Sequence, residues 1–127
     1  LRQFFGDNQT LAKENICDID KDFVSRFKSL VEEKMRDPEL NVEDLGKDMG
    51  LSRVQLYRKL KSLTNYAPNE LLRQARLKKA TSLLASSEMT VAEIAYEVGF
   101  SSPSYFTKCY KEQFRESPTD FLKRKNL

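Results

Sequence analysis

The chain has 127 residues, 39% hydrophobic and 32% charged, with 22 Lys/Arg against 19 Asp/Glu. That length suits one domain or two very small ones, and the apolar share is too high for a disordered tail. With no histidine, two distant cysteines (Cys17 and Cys109) and no CxxC pair, the composition argues against a metal site or a disulfide framework and favours a reducing, cytoplasmic setting.

No apolar run reaches the ~18 residues of a membrane span and no signal peptide is visible, so no membrane contact is expected of this segment. The chain opens on Leu1 rather than Met, as expected of a piece of something longer. The charge is unevenly spread. Residues 1–50 carry 8 Lys/Arg and 12 Asp/Glu, and residues 53–80 carry 8 Lys/Arg and one acid, Glu70. Residues 81–100 have three acids and no base, and residues 101–127 have 6 Lys/Arg and 3 acids. Two basic stretches separated by an acidic one fit a polyanion site, and equally fit scattered solvated charge.

Residues 1–20 show weak periodicity. Leu1, Phe4 and Phe5 read as the tail of an upstream element and the stretch to Asp20 as a linker, which starts the main domain at residue 21. Phe23, Phe27, Leu30 and Val31 then recur at helical spacing, and Pro38 ends that helix. No alternating strand pattern appears, so the class is all-α.

An internal repeat follows. Residues 41–52 (NVEDLGKDMGLS) match residues 90–101 (TVAEIAYEVGFS) at an offset of 49. Past one inserted residue the match continues at offset 50, pairing Leu56 with Phe106, Arg58 with Lys108, Lys61 with Lys111 and Pro68 with Pro118. Each copy reads as helix, tight turn, helix: a first unit near 41–64 and a second near 90–115. Asn41 and the Thr90/Glu93 capping box start the short helices. Gly50 and Gly99 supply the left-handed turn, and Ser52 and Ser101 are placed to cap the second helices. One such match is weak, but two in register, each leading into a basic helix, fit a pair of helix-turn-helix units.

A 100°-per-residue wheel turns Leu56, Leu60 and Leu63 inward on the first of these second helices and Phe106, Cys109 and Tyr110 inward on the other. Opposite them stand Val54, Arg58 and Lys61, flanked by Gln55 and Tyr57, and in the other copy Ser104, Lys108 and Lys111, flanked by Thr107. The outward residues differ in chemistry while the inward frame is kept, which suits two helices reading different bases. Arg58 has the planar fork for guanine O6 and N7, and Val54 can pack on a thymine methyl. Lys108 reaches the same acceptors, or a phosphate, as a point charge. Lys61 and Lys111 lie farther along and suit phosphates, as do the backbone amides at Ser52 and Ser101.

Between the units, Pro68 opens a helix running to about Ser87, roughly 30 Å long at 1.5 Å per residue. That approaches the ~34 Å between successive major grooves on one DNA face. Arg76 falls inside its apolar arc and is expected to pair with a carboxylate, with Glu93 and Glu97 as candidates. No nucleophile motif, phosphate loop or metal spacing points to an enzyme. A helical protein-interaction module that binds no specific base sequence is the alternative.

These residues resemble the DNA-binding domain of the AraC/XylS class of bacterial transcription regulators, over about Phe23 to Lys125. The resemblance rests on Ile94-Ala95-Tyr96-Glu97-Val98-Gly99-Phe100, Ser104-Tyr105-Phe106, Tyr110-Lys111, Phe114 and Ser117-Pro118, with Arg76-Leu77, Ala80 and Leu83-Leu84 matching the joining helix. Leu56-Tyr57-Arg58-Lys59-Leu60-Lys61-Ser62-Leu63-Thr64 is similar to the version in hybrid two-component regulators of Bacteroides-like bacteria, where sensor, histidine kinase and receiver precede this domain. The resemblance implies seven helices and no cofactor. It implies double-stranded DNA as partner, usually transcription activation with contact to RNA polymerase, often a dimer, and a parent that can be anchored in the inner membrane. It places base contacts at Arg53, Val54, Tyr57 and Arg58 and at Pro103, Ser104, Thr107 and Lys108. The family prefers Gly after each recognition helix. Here Asn65 and Arg115 stand there, and Arg tolerates a left-handed backbone poorly.

Overall fold

Seven α-helices follow one another along residues 18–126, the part of the chain that the computed structural model describes: α1 (Asp18–Lys34), α2 (Val42–Asp48), α3 (Arg53–Thr64), α4 (Pro68–Ser86), α5 (Val91–Glu97), α6 (Pro103–Phe114) and α7 (Pro118–Lys125). No strand occurs among the described residues, in line with the all-α expectation. The readings placed on residues 1–17, including the upstream tail and Cys17, lie outside them.

α1 begins at Asp18, inside the stretch read as linker. Asp18 and Asp20 sit in its first turn, where carboxylates offset the positive end of the helix dipole. Val24, Phe27 and Val31 form the buried stripe. The helix stops at Lys34, ahead of Pro38, with the Met35 N–H closing on the Val31 carbonyl at 2.8 Å.

The chain divides into two units. One holds the described residues through Met35 together with Glu39–Ala75; the other holds Arg36–Pro38 and the residues from Arg76 onward. The division falls inside α4, a continuous 19-residue helix. Each unit buries its own copy of the repeat. Leu45, Met49, Leu56 and Leu60 enter one core beside Phe27, Val31 and Leu71. Ile94, Val98, Phe106 and Tyr110 enter the other beside Leu77, Ala80 and Leu84. At about 1.5–3 kcal/mol for each fully buried large side chain, these frames fix the rotation of α3 and α6. The second core is more aromatic: Phe100 meets Phe106 at 5.2 Å between ring centres, Phe106 meets Tyr110 at 5.8 Å, and Tyr110 meets Phe114 at 4.5 Å. Burial pushes the Tyr110 phenol above its ordinary pKa, and its hydroxyl lies 3.3 Å from Thr81 Oγ1.

Arg76 resolves differently from its expected pairing. Its Nη2 donates to the backbone carbonyl of Asp37 at 2.8 Å, and Glu97 pairs instead with Arg36. Burial lowers the Arg76 pKa, and the carboxylate that opposes this is that of Asp37. The partner comes from the turn after α1, a tertiary neighbour that helix spacing does not reveal.

Candidate nucleic-acid interface

Both short helices start as their sequences indicate. Asn41 Oδ1 accepts the Asp44 N–H at 2.9 Å. Thr90 Oγ1 accepts the Glu93 N–H at 3.1 Å, while Glu93 accepts the Thr90 N–H at 2.8 Å. The Thr90 N–H, and after it the Thr90 hydroxyl, hold the Glu93 carboxyl below the usual carboxylate range. Gly50 (φ 74°) and Gly99 (φ 102°) then take the left-handed conformation that ends each short helix and turns the chain toward the next.

α3 opens on a reciprocal cap. Ser52 Oγ accepts the Gln55 N–H at 3.2 Å, and Gln55 Oε1 accepts the Ser52 N–H at 2.9 Å. With Leu56, Leu60 and Leu63 buried, Arg53, Val54, Tyr57, Arg58 and Lys61 all stand exposed. Val54 and Tyr57 are 56% and 48% exposed, large apolar groups on a basic surface. Arg53 and Arg58 make no ion pair among the described residues. Lys61 is engaged, its Nζ donating to the Asn65 carbonyl at 3.0 Å, and so helps close the end of the helix. Gln55 is also partly committed, since its carbonyl oxygen serves the cap and its amide NH2 is what remains for a ligand.

Lys59, by contrast, turns away from the exposed face. Its ammonium lies 4.8 Å from the Phe23 ring centre and 3.8 Å from Asp20 Oδ1, tying α3 to the first turns of α1.

On α6 the cap is Ser102 and not Ser101. Ser102 Oγ accepts the Tyr105 N–H at 3.0 Å and Pro103 fills the first helical position, where its missing N–H costs nothing. The inserted residue of the second repeat falls before the cap and moves it by one. Running the offset of 50 backward from Phe106 pairs Ser102 with Ser52, a signal that the 49-residue register hides. Ser101 is exposed in the turn ahead of the helix, so the N-terminal amides of α6 belong to the residues after Ser102. Phe106, Cys109 and Tyr110 are buried, Ser104, Lys108 and Lys111 exposed, and Pro103 and Thr107 half-buried. Tyr105, absent from the sequence-based set, is 49% exposed on the same helix. The two helices end alike, with Asn65 at φ 69° and Arg115 at φ 61°.

Helix-turn-helix geometry is thus built twice, and each copy presents a second helix with a buried apolar side and an exposed basic or polar side. Comparison with known proteins agrees. The family profile described as "Helix-turn-helix domain" matches residues 45–124. Histidine kinase P4 of Formosa agariphila is 35% identical over 115 residues, covering 91% of this chain and 8% of that protein. The HTH-type transcriptional activator RhaS of Escherichia coli is 38% identical over 82 residues, covering 65% of this chain and 30% of that protein. The chain therefore spans only a small part of these relatives. Among solved structures, the DNA-binding domain of AdpA, a global transcriptional factor in complex with a target DNA, superposes with a TM-score of 0.74 at 28% identity, covering 80% of this chain and 90% of that one. The chain belongs to the helix-turn-helix domain family of AraC type.

Proposed function

We propose that this chain binds double-stranded DNA sequence-specifically, as the output domain of a bacterial transcription regulator, with α3 and α6 each entering a segment of the major groove. The observation that carries this reading is the pair of exposed, register-matched faces: Val54, Tyr57 and Arg58 on α3, Ser104, Thr107 and Lys108 on α6, each set fixed by a buried frame and a capped start. Arg58 is assigned a bidentate guanine contact and Val54 a thymine methyl. Arg53, Gln55 through its NH2, Tyr57, Pro103, Ser104, Thr107 and Lys108 line the groove contacts. Ser52, Lys61 and Lys111 face phosphates, and Ser102 takes the place first given to Ser101.

The AdpA complex with its target DNA supports the ligand class. The name of RhaS supports activation, which implies contact with RNA polymerase. The name of the kinase relative supports a longer parent that carries histidine kinase activity. In our reading that parent senses a signal, sits in the inner membrane with this domain in the cytoplasm, and dimerises through its other parts. No helix among the described residues is long and apolar enough to cross a membrane.

Selection of bound sequences from a random duplex pool tests the reading. The expected result is an enriched motif with two conserved blocks, bound more weakly as salt rises because phosphate neutralisation releases counterions. Adjacent groove segments predict block centres about one helical turn apart. A pool that stays unenriched would make the chain a protein-interaction module instead.

A further inference from the structure

One register-matched pair of the two second helices serves the cap in one copy and not in the other. Gln55 and Tyr105 both occupy the third position of their helices. In α3 that residue completes a reciprocal cap with Ser52. In α6 the backbone half survives, Ser102 Oγ accepting the Tyr105 N–H, but a phenol cannot fold back to accept the Ser102 N–H as a carboxamide does. The third position thus gives up a capping bond and leaves an aromatic ring 49% exposed.

The ring is nevertheless held. It tilts against Phe100 at 5.8 Å between ring centres, and Phe100 is 4% exposed in the core of its unit. The hydroxyl makes no hydrogen bond to any described residue. On the helical wheel Tyr105 lies on the flank of the Ser104–Lys108 face, one residue after Ser104 and three before Lys108. A helix that lays its central face on base edges turns its flanks to the groove walls, which are the phosphate backbones.

We propose that Tyr105 is a positioning residue for DNA: its ring, seated on Phe100, holds the hydroxyl to donate a hydrogen bond to a backbone phosphate oxygen at the wall of the groove that α6 enters. This rests on the reading of α6 as a recognition helix. The hydroxyl is neutral, so the contact adds affinity without releasing a counterion, unlike those of Lys108 and Lys111.

The test is Tyr105→Phe, which keeps the ring and its seat on Phe100 and removes only the donor. Binding of the wild-type and variant chains is measured on a selected duplex and on an unrelated one, over a range of salt. One lost hydrogen bond predicts about three- to ten-fold weaker binding on both duplexes. The ratio between duplexes, the slope of log affinity against log salt and the thermal midpoint should all stay as in the wild type. Loss confined to the selected duplex would make Tyr105 a base reader and overturn the proposal, as would unchanged affinity or a lowered thermal midpoint. If the wild-type chain itself bound no duplex, the underlying reading would fail rather than this assignment. A Lys111→Ala control, expected to flatten the salt slope by about one, shows that the assay resolves a charged phosphate contact.

Discussion

Ser52 and Gln55 satisfy each other's backbone at the start of α3, the Ser52 hydroxyl accepting the Gln55 N–H and the Gln55 carboxamide accepting the Ser52 N–H. Two of the amides that a helix start leaves without intrahelical partners are thereby bonded within four residues of chain. The first turn that carries Arg53 and Val54 is pinned before any ligand arrives. Ser52→Ala removes one acceptor and should cost about 1 kcal/mol of stability, read from denaturant unfolding. Ser101→Ala, one residue ahead of the corresponding cap in the other unit, should cost much less than Ser102→Ala. Equal losses at Ser101 and Ser102 would contradict the assignment of the cap.

Arg115 stands at φ 61° after α6, and its N–H donates to the Lys111 carbonyl at 2.8 Å. A side chain with a Cβ is strained there by roughly 1–2 kcal/mol, and Asn is among the few residues that enter the region readily. Arg115→Gly is therefore expected to stabilise the chain by about 1 kcal/mol, whereas Asn65→Gly (φ 69°) should change little. Thermal and denaturant midpoints check both; no gain at Arg115 would mean that its side chain makes compensating contacts.

Arg58 and Lys108 occupy matching exposed positions with different donors. A guanidinium fork matches two acceptors of guanine at once, and an ammonium does not. Arg58→Ala should cost ~1–3 kcal/mol on the selected sequence and relax the preference at one base pair. Lys108→Ala is expected to weaken binding more evenly and to lower the salt slope. Competition with single-base variants of the selected duplex separates the two outcomes. Even loss at Arg58 would move it to the phosphate class.

The Glu93 carboxylate accepts the Thr90 N–H and hydroxyl, which depresses its pKa below the ordinary value. A group with a depressed folded-state pKa contributes stability that is present above its unfolded pKa and lost as pH falls through the folded one. The contribution is therefore full at neutral pH and declines below about pH 4, the unperturbed range for glutamate. Glu93→Gln keeps an acceptor at the cap but no titration, so its stability should fall less than wild type between pH 6 and pH 3. Melts across that range would count against the assignment if the two proteins lost stability in parallel.

Local chemistry determined most of this protein. The spacing of Leu56, Leu60 and Leu63, and of Phe106, Cys109 and Tyr110, set which side of each recognition helix is buried. The caps at Asn41 and Thr90 and the turns at Gly50 and Gly99 followed from interactions spanning a few residues, which is why they were legible. The exposed positions of Arg58 and Lys108 came with the same periodicity. What tertiary structure decided were matters of partnership and of single-residue register. Arg76 bonds to a carbonyl 39 positions away, because a half-buried guanidinium takes the acceptor that folding brings to it. Lys59, at the edge of the buried stripe of α3, meets Phe23 and Asp20 of α1. α1 starts at Asp18, inside the stretch read as linker, on a helix whose Val24, Phe27 and Val31 are buried in the first core. The cap of α6 at Ser102 was in the sequence too, at the offset of 50 from Ser52, because the inserted residue lies on the turn side of it. Gln55 gives half of its carboxamide to the cap, while Tyr105 stands half exposed with its hydroxyl free of any described partner.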